Sequence, residues 1–410
     1  MPDIEALNGV AAADIEAVNG VAKADIQAVN GVDMPGGVVA ATHWACCFHA
    51  TLTSWVAAAD VADVTKWEDN TWTTHGEGGS TEMFDIAYGK DNSGNPIYVA
   101  IANSTGNNIW VDQNNDITDG SSWSRIQIPS GSRKQRETIL WGNDVWVTVG
   151  RVASGVIDVH RSTDGAASFS AIDIAGLTNI STSDHIYALS SDGAGNWMIG
   201  QGPNLYFSSD DAASWAFLLQ PEGTGNIIKD IVYTNSTWVV LYDDGSDDSW
   251  LITCPASTSA NMDATSDWGT AVQLSAANQV DAAGNSTATA SHLDGSLSKR
   301  MAAAGGRVVV LQCGSATNSM AKTQAADVSG KTCTVENTII IVPLSEGDGN
   351  CIATDGITWL IGGDGGNTGG DGGEILRSTD GGDSWTLIVN GITSTNRKIN
   401  GIAPSVYLPL

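Results

Sequence analysis

Basic residues are scarce in this chain. It has 410 residues, with 18 Lys and Arg against 46 Asp and Glu, a formal net charge of −28. Binding to nucleic acid by counterion release needs cationic side chains facing the phosphates, so no nucleic-acid partner is expected. The same charge disfavours an anionic membrane surface. No run approaches the roughly 18 to 20 apolar residues that span a bilayer, so no membrane insertion is expected. The opening Met1-Pro2-Asp3-Ile4-Glu5 has neither the basic nor the apolar region of a secretory signal, and none is expected. Six cysteines are too few for a disulfide scaffold in a chain this long. Cys46 and Cys47 are adjacent and pair poorly; Cys313 with Cys333 is one conceivable bridge, against the preferred reading of buried free thiols. The six histidines form no close helical pair and no Cys-x-x-Cys occurs, so a transition-metal site is not expected. A Gly-rich phosphate loop and a Ser nucleophile elbow are also missing.

What the chain does have is glycine, 47 residues spread along its length, which suits many tight turns and argues against long helices. With 42% hydrophobic and 16% charged residues it has material for a large core.

Two repeats organise it. Asp3-Ile4-Glu5-Ala6-Leu7-Asn8-Gly9-Val10 recurs from Asp14 to Val21 and from Asp25 to Val32, a period of 11 residues. Asp suits a helix N-cap and Asn-Gly a helix stop, so each unit reads as a turn or two of helix followed by a reversal. Ile4, Val10, Ile15, Val18, Val21, Ile26, Val29 and Val32 then form one apolar stripe. A single unit cannot bury it, so the units stack on one another or on a partner. Met34-Pro35-Gly36-Gly37 reads as a hinge, which separates residues 1–36 as an arm from a body at 37–410.

The second repeat is degenerate. An apolar strand, a turn and an aromatic strand occur at Ile139–Val147, from Ile186 to Trp197, and at Ile231–Val240, with weaker copies ending at Tyr98, Val308, Trp359 and Tyr407. The spacing suits an all-β unit of about 40 to 50 residues with four short strands, one propeller blade. A second element follows: Ser162-Thr163-Asp164-Gly165 leading to Phe169, Ser208-Ser209-Asp210-Asp211 leading to Trp215, and Ser378-Thr379-Asp380-Gly381 leading to Trp385. Decayed copies end at Trp123, from Asp116, and at Trp268, with Asp263 in the third position. This element resembles the Asp-box, or bacterial neuraminidase repeat, Ser-x-Asp-x-Gly-x-Ser/Thr-Trp. A short Asp carboxylate can accept bonds from the backbone of its own turn, Gly supplies a positive φ, and the aromatic ring buries area between blades.

Six complete units run from residue 84 to 389. The C-terminal stretch to Leu408 matches the first two strands of another unit, and the stretch from Trp44 through Trp55 and Trp67 supplies the remainder. The expectation is an all-β, seven-bladed propeller closed by both chain ends, with six blades as the alternative.

Asp-box propellers include sialidases, other glycosidases and many non-catalytic binding proteins. A sialidase needs an arginine cluster for the sugar carboxylate, a Tyr–Glu pair and an Asp acid/base. Arg125-Ile126-Gln127-Ile128-Pro129 lacks the Arg-Ile-Pro order, and Arg161 and Arg377 share one position ahead of two turns, which reads as structural. No carboxylate pair stands out, so no catalytic residue is assigned. Two acidic loops, holding Asp243 and Asp244 and holding Asp364 and Asp371, are weak Ca²⁺ candidates against solvated loops; no other cofactor is expected. At least five Trp (146, 197, 238, 359, 385) occupy repeat positions, and core packing is the reading for most of them.

The 11-residue unit is similar to short segments near the ends of tailed-phage virion proteins. That resemblance implies a non-enzymatic structural or attachment protein, made in the host cytoplasm and carried on the virion. Its arm would bind other virion proteins, and its propeller would face a host-surface glycan or receptor. Self-association into a homo-oligomer is compatible with it. The alternatives are a glycan-active hydrolase and a non-viral, extracellular carbohydrate- or protein-binding scaffold.

Overall fold

The computed structural model describes short strand pairs within 6–33, then residues 41, 44–49, 56–59, 72–75, 82–103, 109–112, 123–126, 128, 134–152, 157–172, 174, 186, 188–221, 226–244, 249–255, 262–274, 279–280, 300–312, 322–341, 349–363, 373–390 and 398–406. These residues are almost wholly β; one 3-10 turn, Thr265–Asp267, is the described exception.

Four-stranded antiparallel sheets follow one another along the chain. The first is Glu82–Lys90, Pro96–Asn103, Ile109–Asp112 and Trp123–Ile126. The second is Lys134–Gly142, Val145–Val152, Ile157–Ser162 and Ser170–Ala171. The third is Ala188–Ser191, Trp197–Gln201, Asn204–Ser208 and Ala216–Leu219, and the fourth is Ile227–Thr234, Thr237–Asp243, Ser249–Cys254 and Val272–Gln273. A later one is Gly349–Thr354, Trp359–Gly363, Glu374–Ser378 and Thr386–Asn390.

The last four-stranded sheet is composite. Lys398–Pro404 pairs with Trp44–His49, which continues into Val56–Ala59 and Trp72–His75. Pairing of the two distant ends leaves no open seam there. Among the described residues the C-terminal stretch gives one strand of this sheet and the N-terminal stretch three; Tyr407 lies outside the described residues.

These sheets read as continuous apolar runs because both faces are covered. Trp197–Gln201, Asn204–Ser208 and Thr237–Asp243 are buried at every residue. Trp44, Trp146, Trp197 and Trp238 are fully buried. Each such ring removes on the order of 150–250 Å² from water, and its loss costs roughly 3–5 kcal/mol. Seven hydrophobic clusters each join two neighbouring sheets, from Trp146 with Val99 to Ala45 with Ile86. The arrangement is a β-propeller.

Two expectations need correction. A seven-bladed ring is the expectation, with six as the alternative; regular four-stranded blades number six, the alternative count. The unit from 279 to 341 departs from the pattern. Met301–Ala304, Arg307–Gln312, Lys322–Ser329 and Thr332–Ile341 run antiparallel, and Gln279–Val280 adds a fifth strand, parallel to the outermost. Thr332–Ile341 is the outermost of the four, and at Ile339 and Ile340, which pair inward with Gln324 and Thr323, its outer edge takes up the extra strand.

The arm also differs. Each 11-residue unit forms a two-stranded β-hairpin, not a turn of helix: Leu7 pairs with Val10, Val18 with Val21, and Val29 with Val32. Asn-Gly between apolar flanks is a strong two-residue hairpin signal, and a turn of helix per unit cannot offset the cost of helix nucleation.

Candidate functional site

The three Ser-x-Asp turns share one geometry. Ser162 Oγ donates to Asp164 Oδ1 (2.7 Å) and accepts from the Ala166 amide (3.0 Å). The Ser168 amide donates to Asp164 Oδ1 (2.9 Å), and its hydroxyl donates to Oδ2. Ser208, Asp210, Ala212 and Ser214 repeat this, as do Ser378, Asp380, Gly382 and Ser384. Gly165, Asp211 and Gly381 take positive φ of 68°, 58° and 74°. Burial alone would raise the Asp164, Asp210 and Asp380 carboxyls, but the serine and backbone donors outweigh it and hold them below the usual carboxylate value.

Each turn packs on the preceding sheet. Asn143 Nδ2 donates to Asp211 Oδ1 (2.6 Å), and Arg161 Nε donates to the Asp211 carbonyl. Arg307 Nε donates to the Gly381 carbonyl (3.0 Å), while its Nη groups hold Glu336 and Asp383. Phe169 and Trp385 are buried, the latter donating from Nε1 to Thr323 Oγ1 (2.9 Å); Trp215 is half-buried. In the decayed copy at Trp268, Asp267 and not Asp263 accepts the turn amide, from Ala264 (3.1 Å). Asp116 lies outside the described residues.

Asp243 faces Lys229 at 3.8 Å, and Asp244 Oδ2 accepts from Trp250 Nε1 (3.1 Å). Asp364 and Asp371 lie outside the described residues, and among the described ones no group of three His, Cys, Asp or Glu could hold a metal ion. Of the arm stripe, Val10, Val18, Val21, Val29 and Val32 fall on strands; Ile4, Ile15 and Ile26 lie outside the described residues. Cys46, Cys47, Cys254, Cys333 and Cys351 are thiols, and burial pushes Cys333 up to about 11; Cys313 lies outside the described residues.

The axis of the ring holds a cavity of about 180 Å³. Every inner strand lines it, with Ala87, Trp141, Leu189, Ile231, Ala302, Ile352 and Ile402 among the contributors. Its surface is mostly apolar, and its one described carboxylate is Asp230. That carboxylate holds strands together: Oδ1 accepts from the Ile231 amide (2.8 Å) and Oδ2 from the Met301 amide of the next sheet (2.7 Å). Asp85 does the same between the first and second sheets, accepting from Ile86, Ile139 and Thr138 Oγ1 at 2.8, 3.0 and 3.0 Å. Both follow a β-bulge on the inner strand, between Met83 and Asp85 and between Ile228 and Asp230. The bulge re-aims the carboxylate, which collects one amide of its own strand and one of the next sheet's inner strand.

Sequence reasoning missed these two latches. Their signal is a lone Asp inside an apolar strand, in Glu82–Lys90 and in Ile227–Thr234.

One turn holds the start of the body, at Ala41, against the ring. Asp355 Oδ1 accepts from the Ile357 and Thr358 amides (2.9 and 2.6 Å), and Oδ2 accepts from the Ala41 amide (2.9 Å). Thr354, beside it, lines the axial cavity. Ile357, at the same turn, is the exposed large hydrophobic side chain of the described residues, at 46%.

No family model and no curated protein matches the chain. Solved structures do. A hypothetical selenium-binding protein from Sulfolobus tokodaii is similar with a TM-score of 0.57 at 9% identity, over 88% of this chain and 93% of that one. YCF48 from Cyanidioschyzon merolae is similar with a TM-score of 0.43 at 12% identity, over 75% and 84%. The Dos1 propeller is similar with a TM-score of 0.43 at 13% identity, over 75% and 72%. At such identities the likeness concerns the fold.

Proposed function

We propose that this protein is a non-enzymatic attachment protein: an arm that docks to a larger particle and a rigid propeller that the particle carries outward. The observation behind this reading is how the arm meets the ring. Trp44–His49 follows the arm in sequence and is also the strand that closes the ring, in six register pairs with Lys398–Pro404. Ala41 is tied to the Asp355 turn. A pull that reaches Trp44–His49 is therefore borne by a sheet ladder. Counted with its five-stranded member, the ring reads as seven blades, and its three clear Ser-x-Asp turns read as Asp-boxes.

The particle we favour is a tailed-phage virion, on the likeness of the 11-residue units, with a host-surface glycan or receptor as the outward partner. Antibody raised against residues 82–171 should label intact particles from the native source in negative-stain images. Particles assembled with a chain lacking residues 1–36 should lose that label. Labelling that survives the deletion would refute the docking role. A glycan hydrolase is the second reading, and release of sugar from a panel of host polysaccharides would favour it.

A further inference from the structure

We propose that the arm of this chain pairs with the arm of a second copy of the same chain. This goes beyond particle docking and does not depend on it. Among the described residues the three hairpins, Ala6–Leu7 with Val10–Ala11, Ala17–Val18 with Val21–Ala22, and Ala28–Val29 with Val32–Asp33, are separate two-stranded sheets, with no strand ladder to one another or to the ring. A lone two-stranded hairpin is marginal in water, and its outer edges present unpaired N–H and C=O groups.

What selects a second copy is the repetition. The register is the same three times, with an apolar inner pair (Leu7 with Val10, Val18 with Val21, Val29 with Val32) across Asn-Gly, at an 11-residue period. A foreign partner must reproduce that spacing to engage all three edges. An identical arm reproduces it automatically, and three weak contacts on one tether reinforce one another through effective concentration.

Charge adds a signature. Residues 1–36 contain Asp3, Glu5, Asp14, Glu16, Asp25 and Asp33 against Lys23, so two arms repel at low ionic strength. Screening over about 10 Å at 0.1 M salt relieves this, and association strengthens as salt rises.

The test is sedimentation velocity on the full chain at about 10 µM, in 20 mM and 500 mM NaCl, beside the full-chain triple variant Val10→Pro, Val21→Pro, Val32→Pro. Proline removes a backbone donor and disrupts the strand on which it sits. The wild-type chain should sediment as a multiple of 42.5 kDa, more completely at high salt, and the variant at 42.5 kDa. Tryptophan fluorescence and the thermal transition of the ring should match between the two. A wild-type chain that is monomeric in both salts overturns the proposal. So does a triple variant that keeps the wild-type mass, which would place self-association on the ring.

Discussion

Asp85→Ala should be among the most damaging single changes to this ring. The side chain is fully buried and accepts from two backbone amides, Ile86 and Ile139, and from the Thr138 hydroxyl. The hydroxyl can turn elsewhere, but the two amides belong to fully buried residues, where water does not replace the carboxylate. A hydrogen bond to a charged group contributes about 1.5–3 kcal/mol, so losing two costs about 3–6 kcal/mol. That is a large share of the roughly 5–15 kcal/mol that holds a typical domain folded. Asp85→Asn keeps the shape and one acceptor oxygen and should cost about half as much. Thr138→Val should cost about 1 kcal/mol alone and less in the Asp85→Ala background, because its partner is already gone. Urea unfolding followed by tryptophan fluorescence, with the slope checked for constancy, gives all four numbers. An Asp85→Ala protein within 1 kcal/mol of wild type, at unchanged slope, would refute the latch between the first two sheets.

The Ser-x-Asp turns predict an acid limb. Their carboxyls are depressed in the folded state, so the stabilisation they give is full above the unfolded value of about 4 and is lost as pH falls through the lower folded values. The urea midpoint should stay level from pH 7 to 5 and drop below pH 4; replacing Asp164, Asp210 and Asp380 together by Asn should flatten that drop. Gly165→Ala and Gly94→Ala make a matched pair. Both residues have positive φ, but a Cβ at Gly165 would lie 1.9 Å from the Asn92 amide nitrogen, whereas at Gly94 it meets open space. The first should cost more than about 2 kcal/mol and the second about 1, as read by thermal melts, and equal shifts would contradict the packing of this turn on the first sheet. Arg307→Lys loses the planar fork that reaches Glu336, Asp383 and the Gly381 carbonyl, and should lower stability by about 1 kcal/mol in low salt and by less in 1 M NaCl.

The sequence alone determined the class of fold and where its turns fall. Tryptophans at one position in four of the units (146, 197, 238 and 359) must be buried, and a four-stranded sheet between two others buries them. The Ser-x-Asp turns are local devices whose donors and acceptor lie within seven residues, so their sequence is enough to specify them. Tertiary structure decided what depends on distant partners. Asp85 and Asp230 look like misplaced charges in apolar strands until the next sheet brings the Ile139 and Met301 amides to them. The fifth strand at Gln279–Val280 is too short to announce itself and exists because Thr332–Ile341 leaves an edge to pair with. The arm inverted its local reading. Asn-Gly can end a helix or turn a hairpin, and 11 residues of sequence do not choose between them; the Val-to-Val pairing across it does.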